Sequence, residues 1–327
     1  MNTHPYDALT PDVILDAVDS TGLRSNGSLL ALNSYENRVY QVGLDDHLPV
    51  VVKFYRPQRW TRAAIEEEHR FCEELAEREV PVVAPMPLPD GNTLGEHNGF
   101  LFAVYERRGG HRPELQSPDE LLQLGRFLGR IHALGAIHPF HHRPGIDIQS
   151  YGIESREWLL QSGLIPADIL PAWSAISGQL LEVVAQAWRQ SSSATLIRLH
   201  GDFHPGNILV RDERFHLVDF DDCRMGPAVQ DLWMLLSGER HEMIGQLSEI
   251  VDGYDEFHSF DSRELILIEP LRALRLLHYS AWLGRRWDDP AFPLAFPWFN
   301  TQRYWEEQID TLKEQFSRLQ EPPLALQ

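Results

Sequence analysis

The sequence predicts an α+β chain of two unequal lobes, and three observations carry that prediction. At 327 residues the chain is long enough for two cores of about 150 residues each. Roughly the first 105 residues mix short β-branched and aromatic runs with helices. From Ser117 onward the periodicity is mainly helical, broken by one compact strand-and-loop stretch near residues 195 to 220. The polar, glycine-rich run Glu106-Arg107-Arg108-Gly109-Gly110-His111-Arg112-Pro113 has the composition of a connection. It divides the chain into an N-terminal lobe over 1–107 and a helical C-terminal lobe over 108–327.

Each element has a local reason. Thr10-Pro11 opens a short helix with Val13, Ile14, Ala17 and Val18 on one face, the proline standing where a missing amide does no harm. Arg38 to Val42 and Val50 to Tyr55 are β-branched and aromatic, and Leu44-Asp45-Asp46-His47 between them supplies turn chemistry, so they pair as a hairpin. Thr61 caps a helix through about Arg78, with Ile65, Cys72, Leu75 and Ala76 apolar, and Pro81 excludes its continuation. Gly99 to Tyr105 reads as a further strand. Ser117-Pro118-Asp119-Glu120 reads as a capping box, followed by the stripe Leu121, Leu124, Leu128, Ile131. No repeat is visible, and the tail from Glu321-Pro322-Pro323 is expected to be loose.

Charge narrows the partners. Twenty-nine basic against 48 acidic residues leave a net charge of -19, which gives little positive field for nucleic acid or an anionic bilayer. No apolar run approaches the ~18 residues a membrane helix needs. Two cysteines make no disulfide framework, and the opening residues lack the charged and apolar regions of a signal peptide, so a cytoplasmic protein is expected. A monomer is expected. Only two of the basic residues are lysines, Lys53 and Lys313. Lys53 sits inside Val50-Val51-Val52-Lys53-Phe54-Tyr55, apolar on both faces, with Glu66-Glu67-Glu68 downstream. A strand lysine ordinarily points to water; this setting argues for a buried ammonium with a carboxylate partner. Glu68 is the choice, Glu66 and Glu67 the fallback.

The densest polar cluster is His200-Gly201-Asp202-Phe203-His204-Pro205-Gly206-Asn207, followed by a short hairpin to Val218-Asp219-Phe220-Asp221-Asp222. Asp202 and Asn207 lie five apart in a loop that glycine and proline keep from becoming helical. This spacing fits metal-assisted phosphoryl transfer, in which the protein orients a hydroxyl, holds Mg²⁺ through hard oxygen ligands and neutralises phosphate charge with a buried cation. Asp202, Asn207, Asp219 and Lys53 supply those parts. As a rival, His200-x-Asp202-x-His204 is a string that zinc hydrolases use, but Asn207 is a poor zinc ligand and Lys53 has no role there. A nucleotide-binding module without turnover fits poorly with the intact set of three.

Asp202, Asn207 five residues on, then Asp219-Phe220, resemble the catalytic loop and metal-binding aspartate of protein kinases. The His-Gly-Asp form is similar to the aminoglycoside phosphotransferase and choline kinase branch. Leu32-Asn33-Ser34-Tyr35-Glu36-Asn37-Arg38-Val39-Tyr40, Val52-Lys53-Phe54-Tyr55-Arg56-Pro57 and Pro227-Ala228-Val229-Gln230-Asp231-Leu232-Trp233 resemble the bacterial stress response kinase A (SrkA/YihE/RdoA) family over nearly the whole chain. The resemblance implies a two-lobed protein kinase-like fold, with a small mixed β N-lobe that binds nucleotide and a larger helical C-lobe. It implies an ATP- and Mg²⁺-dependent serine/threonine protein kinase, including autophosphorylation, acting in stress response. The alternative acceptor is a small-molecule alcohol, for which Glu154, Glu157, Asp221 and Asp222 would form an acidic pocket.

Carried over by position, Asp202 becomes the catalytic base, Asn207 and Asp219 the Mg²⁺ ligands, and Lys53 a phosphate contact paired with Glu68. Tyr105-Glu106 falls where an adenine-contacting hinge lies, and Asp231 where a residue braces the catalytic loop. Two departures stand out. The turn Asn33-Ser34-Tyr35-Glu36-Asn37 has no glycine, and the stress-kinase resemblance implies Ser34 and Asn33 as phosphate-side donors instead; Asp221 occupies the glycine position after Asp219-Phe220. Gly226 follows Asp219 by only seven residues, too few for a long activation loop. His138, His141 and His142 read as a solvated loop, Cys72 and Cys223 as inert, and the tryptophans at 158, 173, 188, 233, 282, 287, 298 and 305 as packing.

Overall fold

The computed structural model describes residues 5–115, 117–191 and 194–326, so the expectation for Met1 to His4 lies outside the described residues. The elements in chain order are α1 (Pro11–Asp19), β1 (Ser25–Ala31), β2 (Arg38–Leu44), β3 (Val50–Phe54), α2 (Arg62–Glu77), β4 (Gly95–His97), β5 (Phe100–Glu106), α3 (Pro118–Gly135), α4 (Glu154–Gln161), α5 (Leu170–Gln190), β6 (Ile197–Leu199), β7 (Ile208–Arg211), β8 (Arg214–Leu217), β9 (Arg224–Gly226), α6 (Val229–Trp233), α7 (Arg240–Asp255), α8 (Ile268–Arg285), α9 (Ala291–Ala295) and α10 (Gln302–Arg318). They fall into two compact units. The first takes the described part of Met1–Glu114 with Phe140–Arg143 and Asp202–Cys223; the second takes Leu115–Pro139, Pro144–Gly201 and Arg224–Gln327.

The first unit is built on a five-stranded antiparallel sheet ordered β1-β2-β3-β5-β4, joined by the β7–β8 hairpin. β3 is central, and alternation sends its side chains to opposite faces. Val50, Val52 and Phe54 join Val42, Phe100, Phe102 and Val104 in a core covered by Ile14, Ala17 and Val18 of α1. Tyr55 packs with Ile65 of α2 and Ala103 in a separate cluster. Lys53 shares that second parity, and its backbone lies opposite Val39 and Ala103. The hairpin expected from the two β-branched runs is therefore β2–β3. β1 was not expected from its sequence, Ser-Asn-Gly-Ser-Leu-Leu-Ala, which is polar, mostly exposed and irregular in register between Ser25 and Leu29.

The second unit is mainly helical. α4, α5, α8, α9 and α10 enclose an aromatic core in which Trp173 and Trp305 are fully buried, 6.3 Å apart edge to face. α3 and α7 approach unusually closely because glycines line their contact. A Cβ on Gly125 would lie 2.0 Å from the Ile250 carbonyl oxygen, and one on Gly253 2.0 Å from that of Leu122, so neither position accepts a side chain.

Three local expectations are corrected. Ser117 does precede α3, with Pro118 opening the helix, but its hydroxyl makes no capping bond, and the capping box is instead Glu239 with Glu242 at the start of α7. The tail is tethered, because Arg240 Nη2 donates to the carbonyls of Pro322 (2.7 Å) and Pro323 (2.8 Å), and Leu324 is buried. Trp298 is 45% exposed and so is not a core residue.

Candidate active site

Lys53 comes first because its burial demands explanation: an ammonium in low dielectric is tolerated only when paired. It is 6% exposed, and its Nζ lies 3.4 Å from Glu68 Oε1, 3.4 Å from Asp219 Oδ1 and 3.3 Å from Asp221 Oδ1. Burial alone would lower the ammonium's pKa, but Asp221, Glu68 and Asp219 outweigh it and hold Lys53 well above the ordinary lysine value. Burial raises Glu68, an effect Lys53 only partly offsets. Burial would also raise Asp221, yet Arg59 and Lys53 reverse the sign and hold it below the usual range.

α2 delivers Glu68. Thr61 Oγ1 accepts from the Ala64 amide and starts the helix. Ile65, Glu68, Cys72 and Leu75 then follow at helical spacing, and all four are buried. Glu68 thus sits on the apolar stripe itself. Its two neighbours do other things: Glu67 accepts from the amides of His141 (2.7 Å) and His142 (2.8 Å), while Glu66 lies 3.9 Å from Arg62 at the surface. The His141–His142 backbone is thereby anchored, not merely solvated. Both cysteines are buried, and burial raises the Cys72 thiol well above its ordinary value, as an inert residue requires.

Asp219 and Asn207 are set by the β7–β8 hairpin. Asn207 ends a 3₁₀ turn over Pro205–Asn207, and its carbonyl accepts from the Val218 amide at 3.0 Å, which ties the turn to the residue before Asp219. Asp219 has φ 62° and ψ 61°, in the left-handed region that aspartate tolerates better than most side chains but that still costs about 1 kcal/mol or more. Its side chain remains 57% exposed. Asn207 Nδ2 donates to the Asp202 carbonyl (2.9 Å) and approaches its carboxylate (3.4 Å), leaving Oδ1 as the amide's acceptor face. Asp202 Oδ2 lies 3.4 Å from His204 Nε2.

Lys53, Glu68, Asn207 and Asp219 border a cavity of about 350 Å³ within the first unit. Leu32, Val39, Val51, Val83, Leu209 and Val218 contribute apolar lining to it beside those polar groups. Ser34 and Asn33 line it, as do Tyr105, Glu106 and Arg108, with the Glu106 carboxylate turned to Arg108. Asp202 is not part of the lining. The cavity has the profile of a small-molecule site, apolar with a few convergent polar groups.

Sequence reasoning missed Arg59 and Arg143, and with them the setting of Asp221. Under the small-molecule alternative Asp221 would line an acidic pocket; it is instead 4% exposed, ion-paired to Lys53 and Arg59. Arg59 also reaches Asp222 at 2.8 Å, so that carboxylate is engaged as well. Arg143 is fully enclosed, donating to the carbonyls of Cys223, Asp221 and Ala64 (2.9 Å) and lying 3.6 Å from Glu68. The only sequence signal was Asp221 standing where a glycine was expected. Glu154, the other acidic candidate with Glu157, begins α4 in the second unit and accepts from Gln149.

Within the second unit, Asp231 is fully buried and accepts from the amides of His200 and Gly201, both at 2.9 Å, and from His132 Nε2 at 3.1 Å. The two residues preceding Asp202 in the chain are thus held by a carboxylate acting on backbone. Among the described residues no group of three or more His, Cys, Asp and Glu side chains is disposed to hold a metal ion, so the His200-x-Asp202-x-His204 string does not form a zinc ligand set. Nor is any helix among the described residues long and apolar enough to cross a membrane.

Comparison with known proteins agrees with this arrangement. Residues 28–268 match the phosphotransferase enzyme family (APH). The chain is 49% identical over 321 residues to stress response kinase A of Escherichia coli K12, covering 98% of this chain and 97% of that one. It is 46% identical over 325 residues to the serine/threonine protein kinase RdoA of Salmonella typhimurium LT2, covering 99% and 98%. Among solved structures, the amicoumacin kinase hAmiN, in complex with AMP-PNP, Ca²⁺ and Ami, aligns with a TM-score of 0.70 at 19% identity over 92% of this chain and 93% of that one. A microcompartment-associated aminopropanol kinase aligns at 0.71 and 19% over 97% and 100%. At such identity the structural likeness fixes the fold, which is the two-lobed protein kinase-like fold. The chain belongs to the phosphotransferase enzyme family and, within it, to the stress response kinase A family.

Proposed function

We propose that this kinase transfers the γ-phosphate of ATP, with Mg²⁺, to serine and threonine hydroxyls of proteins, its own included, in the cytoplasm and in response to stress. The observation that carries the reading is the buried Lys53 ammonium in the lining of a cavity that is otherwise largely apolar, 3.4 Å from the exposed Asp219 carboxylate. A purine and ribose suit the apolar lining, and phosphates suit the cation. Tyr105 and Glu106 border the cavity at the end of β5, where main-chain groups suit an adenine edge, and Ser34, which also lines it, would supply a hydroxyl to the phosphates.

The donor set fits Mg²⁺. Asp219 supplies a solvent-facing carboxylate oxygen and Asn207 an amide oxygen, and a hard octahedral cation bound by one or two protein oxygens completes its shell with phosphate and water. Bound there, the ion would neutralise charge on the phosphate oxygens. Lys53 would contact the same phosphates as a point charge, and Glu68 would keep it from turning away. Asp202 would accept the proton that leaves the acceptor hydroxyl as its oxygen bonds to phosphorus and ADP departs. The Asn207 amide on the Asp202 carbonyl holds that loop in place.

The protein acceptor and the stress role draw support from the names of the curated relatives. Incubation with labelled ATP, Mg²⁺ and a generic protein acceptor tests the reading. Label should appear on protein and fall by about 10²- to 10⁴-fold in Asp202→Ala, the usual contribution of a catalytic base. Label passing only to small alcohols would overturn the protein acceptor and leave the small-molecule alternative.

A further inference from the structure

Lys53 has three carboxylates at nearly equal distance, so distance does not say which one holds it. How firmly each carboxylate is itself held does. Asp219 is more than half exposed, and solvent screens its pull. Glu68 accepts from Lys53 at Oε1 but through a longer side chain; its Oε2, like Asp221 Oδ1, accepts no hydrogen bond, and its other cation, Arg143, stands off at 3.6 Å. Asp221 is fixed at both ends. Its Oδ2 receives Arg59 Nη1, and its main-chain carbonyl receives Arg143 Nη2. Arg59 is in turn held by Asp222 at 2.8 Å and lies 5.2 Å from the Trp60 ring centre; Arg143 lies 4.4 Å from the same ring. A short side chain locked by two guanidinium groups that share one indole loses little further freedom on gripping the ammonium.

We propose that Asp221, at the position where a kinase-like pattern leads one to expect glycine, is the positioning residue that principally holds Lys53, with Glu68 a secondary anchor. Asp221 then touches no reacting atom and acts only by aiming Lys53. The functional meaning of the hold rests on the proposed phosphate contact of Lys53; the hold itself does not.

The chain's two lysines make the test direct. Folded protein is treated with limiting acetic anhydride at fixed pH, and acetylation of Lys53 is read by mass spectrometry against Lys313, whose side chain is 62% exposed. Relative to the unmodified chain, Asp221→Asn should raise the Lys53:Lys313 ratio by about tenfold or more, because a buried ion pair has lost its main partner. Glu68→Gln should stay within about twofold, and the charge-conserving Asp221→Glu should remain close to the starting ratio. Glu68→Gln equalling or exceeding Asp221→Asn overturns the proposal, as does Asp221→Glu labelling like Asp221→Asn. If circular dichroism shows that Asp221→Asn does not fold, Glu68→Gln and Asp221→Glu decide alone: slow labelling in both supports the hold, fast labelling in either refutes it. KM for ATP, measured on the same proteins, should rise more in Asp221→Asn than in Glu68→Gln. Absence of ATP turnover in the unmodified chain refutes the proposed function, while the labelling ratio still decides what holds Lys53.

Discussion

Two buried aspartates ten residues apart in the chain belong to different compact units and are neutralised by different means. Asp221, in the first unit, is surrounded by the side-chain cations of Lys53, Arg59 and Arg143. Asp231, in the second, is held by the amides of His200 and Gly201 and by a histidine. Backbone amides are fixed dipoles that fasten a chain segment, whereas a side-chain cation is a charge that a carboxylate can aim at something else. The first unit spends its buried charge on a site, and the second on shape. An unpaired buried charge is expensive in either setting, so each carboxylate is compensated.

Three measurements bear on this difference. The largest effect is expected at Asp231. Replacing it with alanine leaves two buried amides without an acceptor, which should cost about 2–4 kcal/mol and lower the melting temperature by several degrees. Activity should fall only in step with the folded fraction. A stable Asp231→Ala protein with abolished turnover would place Asp231 on the chemical side of the comparison.

A middle effect is a pH dependence of opposite sign at two buried residues, one in each unit. Glu264, buried in the second unit and accepting from the Val229 amide, is raised by burial to about 7 from 4.5. The folded state therefore binds its proton more tightly, and this residue lowers stability as pH rises from 4.5 through 7, by up to about 3 kcal/mol. His69, in the first unit, is pushed by burial from 6.5 down to about 3, so its contribution is complete above 6.5 and is lost as pH falls toward 3. Melting curves between pH 5 and 8 should show Glu264→Gln gaining on the unmodified chain as pH rises; parallel curves would remove Glu264 from the account. The smallest effect is at Ser117, whose hydroxyl caps nothing: Ser117→Ala should change stability by no more than about 0.5 kcal/mol. A loss near the ~1 kcal/mol of a working cap would restore the capping box.

Which features were legible in the sequence follows from the same physics. Lys53 stands out because a charge inside an apolar strand contradicts its neighbours, and Glu68 because it falls on the helix's apolar stripe between Ile65 and Cys72. Asp219 and Asn207 are close along the chain, so one hairpin suffices to bring them together. Asp221 and Arg59 are 162 residues apart, and nothing local in either segment announces that one will neutralise the other. An aspartate there looks solvent-facing until its cation is known. β1 was hidden for a different reason: an exposed edge strand buries little, so selection for apolar alternation is weak. The tethered tail depends on Arg240 reaching main-chain carbonyls, which carry no residue signature.

The proposed contact between the buried Lys53 ammonium and phosphate is tested by steady-state transfer from labelled ATP in Lys53→Met, compared with the unmodified chain at equal folded concentration. The kcat/KM for ATP should fall by on the order of 10²-fold or more, as when a preorganised charge is removed from a developing anion. Full turnover in Lys53→Met with unchanged KM for ATP would contradict it.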